Sequence, residues 1–144
     1  VKRNFWVNCD YAVPPYFTFK TRIQFSDYRL SSNITRGIAI IQDVSLSTGR
    51  WTLSGRYALF DTDDYDNRLY AYEKNMWMAY SFPAYYGVGV RTFVMVQYKL
   101  TKKIDLWLRW SQTRYADLDG IGTGTEIIAG NTSNDAKFQV KIRF

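Results

Sequence analysis

The segment AKFQVKIRF, residues 136–144, alternates without exception between apolar and polar side chains. A period of two places successive side chains on opposite faces of a β-strand. The segment therefore predicts a strand with an apolar face ending at Phe144. Its other face is basic and carries Lys137, Lys141 and Arg143.

The same period recurs along most of the chain. Working outward from the C-terminus, the pattern predicts strands over residues 104–110, 88–100, 70–80, 51–59, 34–46, 17–25 and 3–8. Turn-rich pieces separate them, including residues 10–15, 27–33, 47–49, 61–67, 83–87, 101–103 and the long stretch 116–134. Regularly spaced strands of this length predict an all-β chain, an antiparallel up-and-down barrel of about eight strands, or the C-terminal part of a larger barrel. We treat residues 1–144 as one domain.

The predicted strand over residues 70–80 is the weakest, because Lys74 falls on its apolar row. A lysine on a lipid-facing row near the membrane midplane costs ~2–4 kcal/mol. Either a bulge near residues 73–75 turns Lys74 inward, or Lys74 lies at the headgroup rim.

Composition excludes several classes of protein. The 144 residues include no His and a single cysteine, Cys9, so His-based catalysis, His-ligated metals and internal disulfides are absent from this sequence. We therefore expect no enzymatic activity and no cofactor. Residue 1 is Val and no signal-peptide pattern follows it, which indicates a mature product or a piece of a longer protein. No run reaches the ~18 apolar residues of a membrane helix, but a transmembrane strand needs only ~10 residues.

Alternation does not say which face meets solvent, and two readings remain open. The apolar rows carry almost no charge across their middles, and the polar rows mix Gly, Ser, Thr, Gln, Lys and Arg as a crowded lumen would. Aromatic residues typical of membrane interfaces fall near predicted strand ends: Tyr57, Tyr70, Tyr80, Tyr98, Trp110 and Tyr115. These features favour a transmembrane β-barrel. The alternative is a soluble, lipocalin-like barrel that binds a small molecule in an apolar interior.

Several runs carry a resemblance to a known family. The C-terminal row Phe138, Val140, Ile142 and Phe144 resembles the signal that the outer-membrane assembly machinery reads in bacterial barrels. The runs 57–68, 82–89, 103–109 and 121–124, with Gly130-Asn131, resemble the last part of a family of large Bacteroidetes outer-membrane proteins. Members of that family carry an N-terminal helix-hairpin-helix region, which is absent here, so no nucleic-acid role is carried over. The resemblance implies that this chain closes a wider barrel in the bacterial outer membrane, in contact with lipid and lipopolysaccharide.

The predicted interior is strongly basic, in a chain whose net charge is +6. Its nine cationic residues face Asp43, Glu73 and Asp105, and they are Lys20, Arg22, Arg56, Arg91, Lys99, Arg109, Lys137, Lys141 and Arg143. Such an excess in a narrow lumen predicts a path or binding surface for anions, or a seat for an acidic plug. The alternative is that these side chains fill the lumen and pair with carboxylates.

Two further motifs have simple explanations. Asp61, Asp63, Asp64 and Asp66 form a weak candidate for a Ca²⁺ site, but the position-12 glutamate and turn glycine of an EF-hand are missing, so a solvated turn is expected. The glycine-rich run 120–124 precedes no predicted helix and is expected to be a loop rather than a phosphate site.

The resemblance also sets an expected orientation. With Phe144 at the periplasmic side, residues 116–134 become extracellular and residues 101–103 a periplasmic turn. Counting eight strands back then places residues 47–49 outside and 61–67 inside. The expected role is structural, in transport or in assembly, and a further alternative is an accessory subunit with protein partners in an outer-membrane complex.

Overall fold

The computed structural model describes residues 1–30, 33–121 and 128–144, and in these ranges the chain is built from β-strands. Seven strands are long: β1 (Lys2–Val13), β2 (Phe17–Leu30), β3 (Asn33–Thr48), β4 (Trp51–Thr62), β7 (Val88–Lys99), β8 (Ile104–Tyr115) and β11 (Thr132–Ile142). Four are two-residue strands: β5 (Leu69–Tyr70), β6 (Ala84–Tyr85), β9 (Gly120–Ile121) and β10 (Ile128–Ala129). The all-β prediction is confirmed.

The seven long strands form one antiparallel sheet in the order β1-β2-β3-β4-β7-β8-β11. Each strand pairs with the next long strand along the chain, as in an up-and-down meander. β1 and β11 are the two edges, and no ladder joins them within the described ranges. The sheet is therefore open, with seven long strands rather than the expected eight and no closed barrel.

The predicted strand over residues 70–80 is wrong. In its place, residues 63–87, which we call the inserted segment, leave the sheet between β4 and β7 and fold over one of its faces. Within this segment β5 pairs with β6, and an isolated bridge joins Glu73 to Ser81. The chain reverses near Met76, whose carbonyl accepts a hydrogen bond from Ala79 N at 3.1 Å. Tyr70, Tyr72 and Tyr80 alternate as in a strand, but this excursion lies outside the long sheet.

The register assigns each long strand an inner face, under the inserted segment, and an outer face. Directly opposed residues share a face in an antiparallel pair. The inner row runs through Lys20, Asp43, Arg56, Phe93 and Ser111 on successive strands. The predicted polar row is thus the buried one, with Ser54, Arg56 and Arg109 each below 7% exposed.

The outer face carries the apolar rows, and these are exposed. Its exposed residues include Phe19, Phe25, Ile38, Ile40, Val44, Leu46, Leu53, Leu59, Val94, Leu108, Phe138, Val140 and Ile142. Near one end of the strands, Trp51 and Tyr98 pair with ring centroids 4.3 Å apart. Three of the aromatic residues expected at interfaces lie elsewhere: Tyr115 is 4% exposed on the inner face, and Tyr70 and Tyr80 belong to the inserted segment.

The two ends of the sheet differ in their connections. One end holds the short turns after β1, β3 and β7, and backbone hydrogen bonds join neighbouring turns, such as Lys99 N to Arg50 O at 2.9 Å. The C-terminus lies at this end, since Arg143 N donates to Lys103 O. The other end holds the inserted segment and residues 116–121 and 128–131. The eight-strand count placed residues 47–49 at the end of the sheet opposite the C-terminus, and residues 61–67 at the same end as the C-terminus. Both placements are wrong, because residues 70–80 do not form a strand of the sheet and every turn before them changes ends.

No helix in the described ranges is long and apolar enough to cross a membrane.

Candidate functional site

The inserted segment is held to the inner face first through its own backbone carbonyls. Lys2 Nζ donates to Asp66 O at 3.0 Å and Arg68 O at 2.7 Å, and Ser26 Oγ donates to Asn67 O at 3.1 Å. Gln24 Nε2 reaches Tyr70 O at 3.4 Å. Side chains of β1 and β2 thus satisfy carbonyl groups that leave the sheet ladder, which is required when a non-strand backbone is covered.

Beneath the segment lies a small apolar core. Leu69, Ala71 and Tyr85 of the segment pack with Ala39, Ile41, Ala58, Phe60 and Tyr115 of the sheet. The Phe60 ring lies 5.3 Å from that of Tyr85 and 5.8 Å from that of Tyr115. A second cluster joins Phe93, Met95 and Trp107, with Met76 packed against it. Apolar burial here occurs on the polar face of the sheet, where small residues make room for the segment.

Glu73 is the charged centre of the site. It is fully buried, and Arg91 binds both of its carboxylate oxygens, from Nε and Nη2, at 2.7 Å. Arg109, which is 1% exposed, donates from Nη2 to the same carboxylate. Arg91 Nη1 also donates to Thr113 Oγ1 at 2.7 Å, and the Arg109 guanidinium lies 4.9 Å above the Phe93 ring. One carboxylate from the segment therefore joins β7 and β8 through two arginines.

Arg56 forms a second anchor, on β4. Its guanidinium binds both oxygens of Asp43, at 2.6 and 2.7 Å, in a bidentate pair. Arg56 Nη2 also donates to Tyr72 O at 2.6 Å, and Nη1 donates to the Tyr85 hydroxyl at 3.3 Å. A single side chain thus contacts both arms of the inserted segment.

The remaining cations of the predicted cluster lie on the same face but nearer its edges. Arg22 donates to Asn8 Oδ1 at 2.8 Å, Lys20 pairs with Asp10 at 3.6 Å, and Lys137 pairs with Asp135 at 3.1 Å. Arg143 pairs with Asp105, which lies opposite Lys99 and Lys141 in the register, and Lys141 Nζ lies 3.8 Å above the Trp77 ring. The register places eight of the nine on the inner face, and Arg143 follows the end of β11. Two of the nine, Arg91 and Arg109, converge on Glu73.

Lys74 points into a cavity beside these anchors. Its ammonium donates to Ser54 Oγ at 2.8 Å and to Ser45 Oγ at 3.5 Å. Burial lowers the pKa of Lys74, since the charged form loses hydration. Of the two explanations considered for this lysine, the structure supports inward placement, produced by the whole segment rather than by a bulge in a strand.

The other sequence motifs acquire no ligand geometry. The described part of the chain contains no group of three or more metal-ligating side chains. Asp63 accepts from Arg36 N at 2.7 Å and Asp64 accepts from Asn67 N at 2.8 Å, as carboxylates do in turns. Cys9 is free and exposed. Most of the glycine-rich run, residues 122–124, lies outside the described residues.

Three residues of the expected C-terminal signal, Phe138, Val140 and Ile142, lie on the outer face of β11, an edge strand, and Phe144 follows it. All four side chains are exposed.

Sequence reasoning missed the partners that the inserted segment contributes. The sequence pattern did not identify Tyr85, Asn67 or the Ser45–Ser54 pair as parts of the site. Glu73 is far from Arg91 and Arg109 in the chain, so no local pattern connects these three residues. One signal was present: Lys74 interrupts the apolar row of the predicted strand over residues 70–80. A charged residue at the middle of an apolar row indicates that the segment follows another path.

Comparison of the chain with protein-family models, with curated proteins and with solved structures yields no match. The class of fold that the coordinates define is an open antiparallel meander with a segment folded over its polar face.

Proposed function

We propose that this chain forms part of the wall of a β-barrel in the bacterial outer membrane, with a structural, transport or assembly role. The observation that carries the proposal is the inversion of the sheet: its apolar face is exposed, and its polar and charged face is buried under the inserted segment. Lipid-exposed barrels have this arrangement, with an apolar exterior and a polar interior that a loop can plug. The resemblance to a family of Bacteroidetes outer-membrane proteins agrees with this proposal, since it implies that the chain is the closing section of a wider barrel.

Strand length and charge distribution support the same proposal. The long strands contain 11 to 16 residues, and a tilted transmembrane strand needs ~9–11. On the outer face of β3 and β4, residues 38–46 and 51–59 carry no charge, while Arg36 and Asp61 lie at the long-loop end. Charges at one rim and an uncharged band below it suit a bilayer with a headgroup layer.

The two open edges favour completion of the wall by further strands. Every residue of β1 is exposed, including those on the inner face, and most of β11 is exposed as well. Unpaired edge strands invite pairing with additional strands. In this proposal those strands come from the same polypeptide or from a partner in an outer-membrane complex. The C-terminal residues Phe138, Val140, Ile142 and Phe144 serve recognition by the assembly machinery.

The connections give an orientation. Bacterial barrels have short periplasmic turns and longer extracellular loops. The short turns share one end of the sheet with the C-terminus, so this end is periplasmic in the proposal. The inserted segment and residues 116–121 and 128–131 then lie on the extracellular side, and lipopolysaccharide surrounds that rim.

A gel of the native protein from bacterial membranes, run unheated and boiled, tests the proposal. Membrane barrels resist SDS until heated, so we expect a shift in migration and a boiled band heavier than the 144-residue chain if the same polypeptide supplies the missing strands. A boiled band of the 144-residue size with a retained shift indicates assembly from several chains. Recovery in the soluble fraction with no shift contradicts the proposal and favours the lipocalin-like alternative.

A further inference from the structure

A cavity of about 520 Å³ lies between the inserted segment and the β2–β4 part of the inner face. Its lining includes Lys74 and Tyr72 of the segment, Ser45 and Ser54 of the sheet, and Tyr16 of the turn after β1. Binding sites for small molecules have volumes of roughly 300–1,000 Å³ and combine apolar walls with a few polar groups. The cavity meets both conditions.

The cations around this cavity differ in how they are neutralised. The guanidinium of Arg56 is bound by both carboxylate oxygens of Asp43, and Lys20 pairs with Asp10. In the described part of the chain, Lys74 forms no ion pair within 4.0 Å of a carboxylate. Its ammonium instead contacts two hydroxyl groups, and these are themselves 3.0 Å apart. Among the cations that line the cavity, Lys74 is therefore the one that no carboxylate of the described residues neutralises.

This arrangement has the donors that an oxyanion requires. An ammonium supplies charge-assisted hydrogen bonds, and a serine hydroxyl can rotate to donate. Partial burial of the ammonium strengthens its attraction for an anion because water screens it less. Tyr16 and Tyr72 also line the cavity and add apolar surface for the carbon skeleton of a ligand.

We propose that the cavity binds a small organic anion, with its carboxylate or phosphate group on Lys74 Nζ and the hydroxyls of Ser45 and Ser54. The inference rests on the proposed function, because it names the class of solute that the basic inner face takes. Since Lys74 belongs to the inserted segment and the serines to β3 and β4, the bound anion connects the segment to the wall.

The test is calorimetric titration of the full chain in detergent micelles with phenyl phosphate, benzoate and uncharged benzyl alcohol. We expect saturable binding of at least one anion and no binding of the alcohol. The anion that binds with the higher affinity shows whether the site recognises a phosphate or a carboxylate. Lys74→Gln weakens the binding about tenfold or more, as loss of a charge-assisted contact does. Lys102→Gln, in the short turn after β7, removes the same charge outside the cavity and leaves the affinity unchanged.

A third variant, Ser54→Ala, keeps the net charge and is expected to weaken anion binding by several-fold. No saturable binding, equal binding of the alcohol, or equal losses in Lys74→Gln and Lys102→Gln would overturn the inference. The heat-dependent gel shift is recorded on every sample. A retained shift without binding contradicts the anion site alone, whereas a wild-type protein with no shift contradicts the membrane proposal and the site with it.

Discussion

The two faces of the sheet are made by the same strands and differ in what covers them. The inner face carries Arg56, Arg91 and Arg109 and is covered by the inserted segment, while the outer face carries Ile40, Leu59 and their neighbours and is exposed. In an antiparallel sheet of a soluble protein the covered face is the apolar one. The alternation of apolar and polar residues along a strand therefore defines two faces but does not say which one is covered. Here the path of the inserted segment shows which face is the interior one.

The largest effect is expected from breaking the inner face at Glu73. Glu73→Ala leaves two buried guanidinium groups without their carboxylate and should reduce the free energy of unfolding by about 3–5 kcal/mol. Urea unfolding of the detergent-refolded chain measures the loss. Glu73→Gln keeps the shape and some hydrogen bonds, and should recover part of it. An Ala variant as stable as the wild type would mean that the segment does not pack as described.

The outer face should respond to charge according to its environment. Val94 lies between Gly55 and Trp110 in the register, near the middle of β7, so Val94→Lys should cost ~2–4 kcal/mol in a lipid bilayer if this band is lipid-facing. Leu100→Lys, in the turn after β7, is the matched control and should cost no more than ~1 kcal/mol at the interface. Stability measured in lipid vesicles checks both. Equal, small costs would place the outer face in water.

A smaller effect separates two glycines on opposite faces. A Cβ at Gly89 would lie 2.6 Å from Arg114 O and 2.7 Å from Phe60 Cζ, so Gly89→Ala should cost about 1–3 kcal/mol through overpacking. A Cβ at Gly55 would have only an ordinary contact, at 3.4 Å from Phe93 O. Gly55→Ala should therefore be neutral or slightly stabilising in the same urea titration. The reverse ranking would contradict the close packing assigned to the inner face.

The smallest effect is expected at the edge of the inner face. Lys20 and Asp10 pair at 3.6 Å with about half of each side chain exposed, and such pairs contribute only ~0–1 kcal/mol. Asp10→Asn should therefore change the unfolding midpoint very little, and high salt should remove any difference. A large loss would show that further strands or a partner cover β1 in the tested protein.

Much of the sheet could be predicted because its strands carry their own pattern. Residues 17–25, 34–46, 51–59, 88–100 and 104–110 all fall within or at the ends of observed long strands. β1 and β11 extend further than their apolar rows indicated. Backbone hydrogen bonds to the neighbouring strand continue the strand through residues that do not follow the apolar alternation. The two-residue strands have no local period and could not be predicted.

The site was less accessible to sequence reasoning for a physical reason. Residues such as Tyr70, Tyr72, Met76 and Tyr80 alternate as they would in a strand, but the path of the segment is determined by partners far along the chain. Glu73 contacts Arg91 on β7 and Arg109 on β8, and the pairing of these two strands determines where both arginines lie. The inner-face cations could be predicted from alternation, whereas their pairing with one carboxylate required the tertiary structure.

β4 and β7 pair directly with each other, so the inserted segment is a loop that leaves the sheet and returns to it without interrupting the hydrogen bonds between these strands. The entropy of closing a loop rises only slowly with its length, by about 0.6 kcal/mol for each doubling. The segment can therefore be lengthened, shortened or exchanged while Leu59 and Val90 keep their register. Any replacement must still deliver a carboxylate to Arg91 and Arg109. The sheet thus requires one carboxylate from the inserted segment, while the length and the remaining sequence of the segment are under weaker constraint.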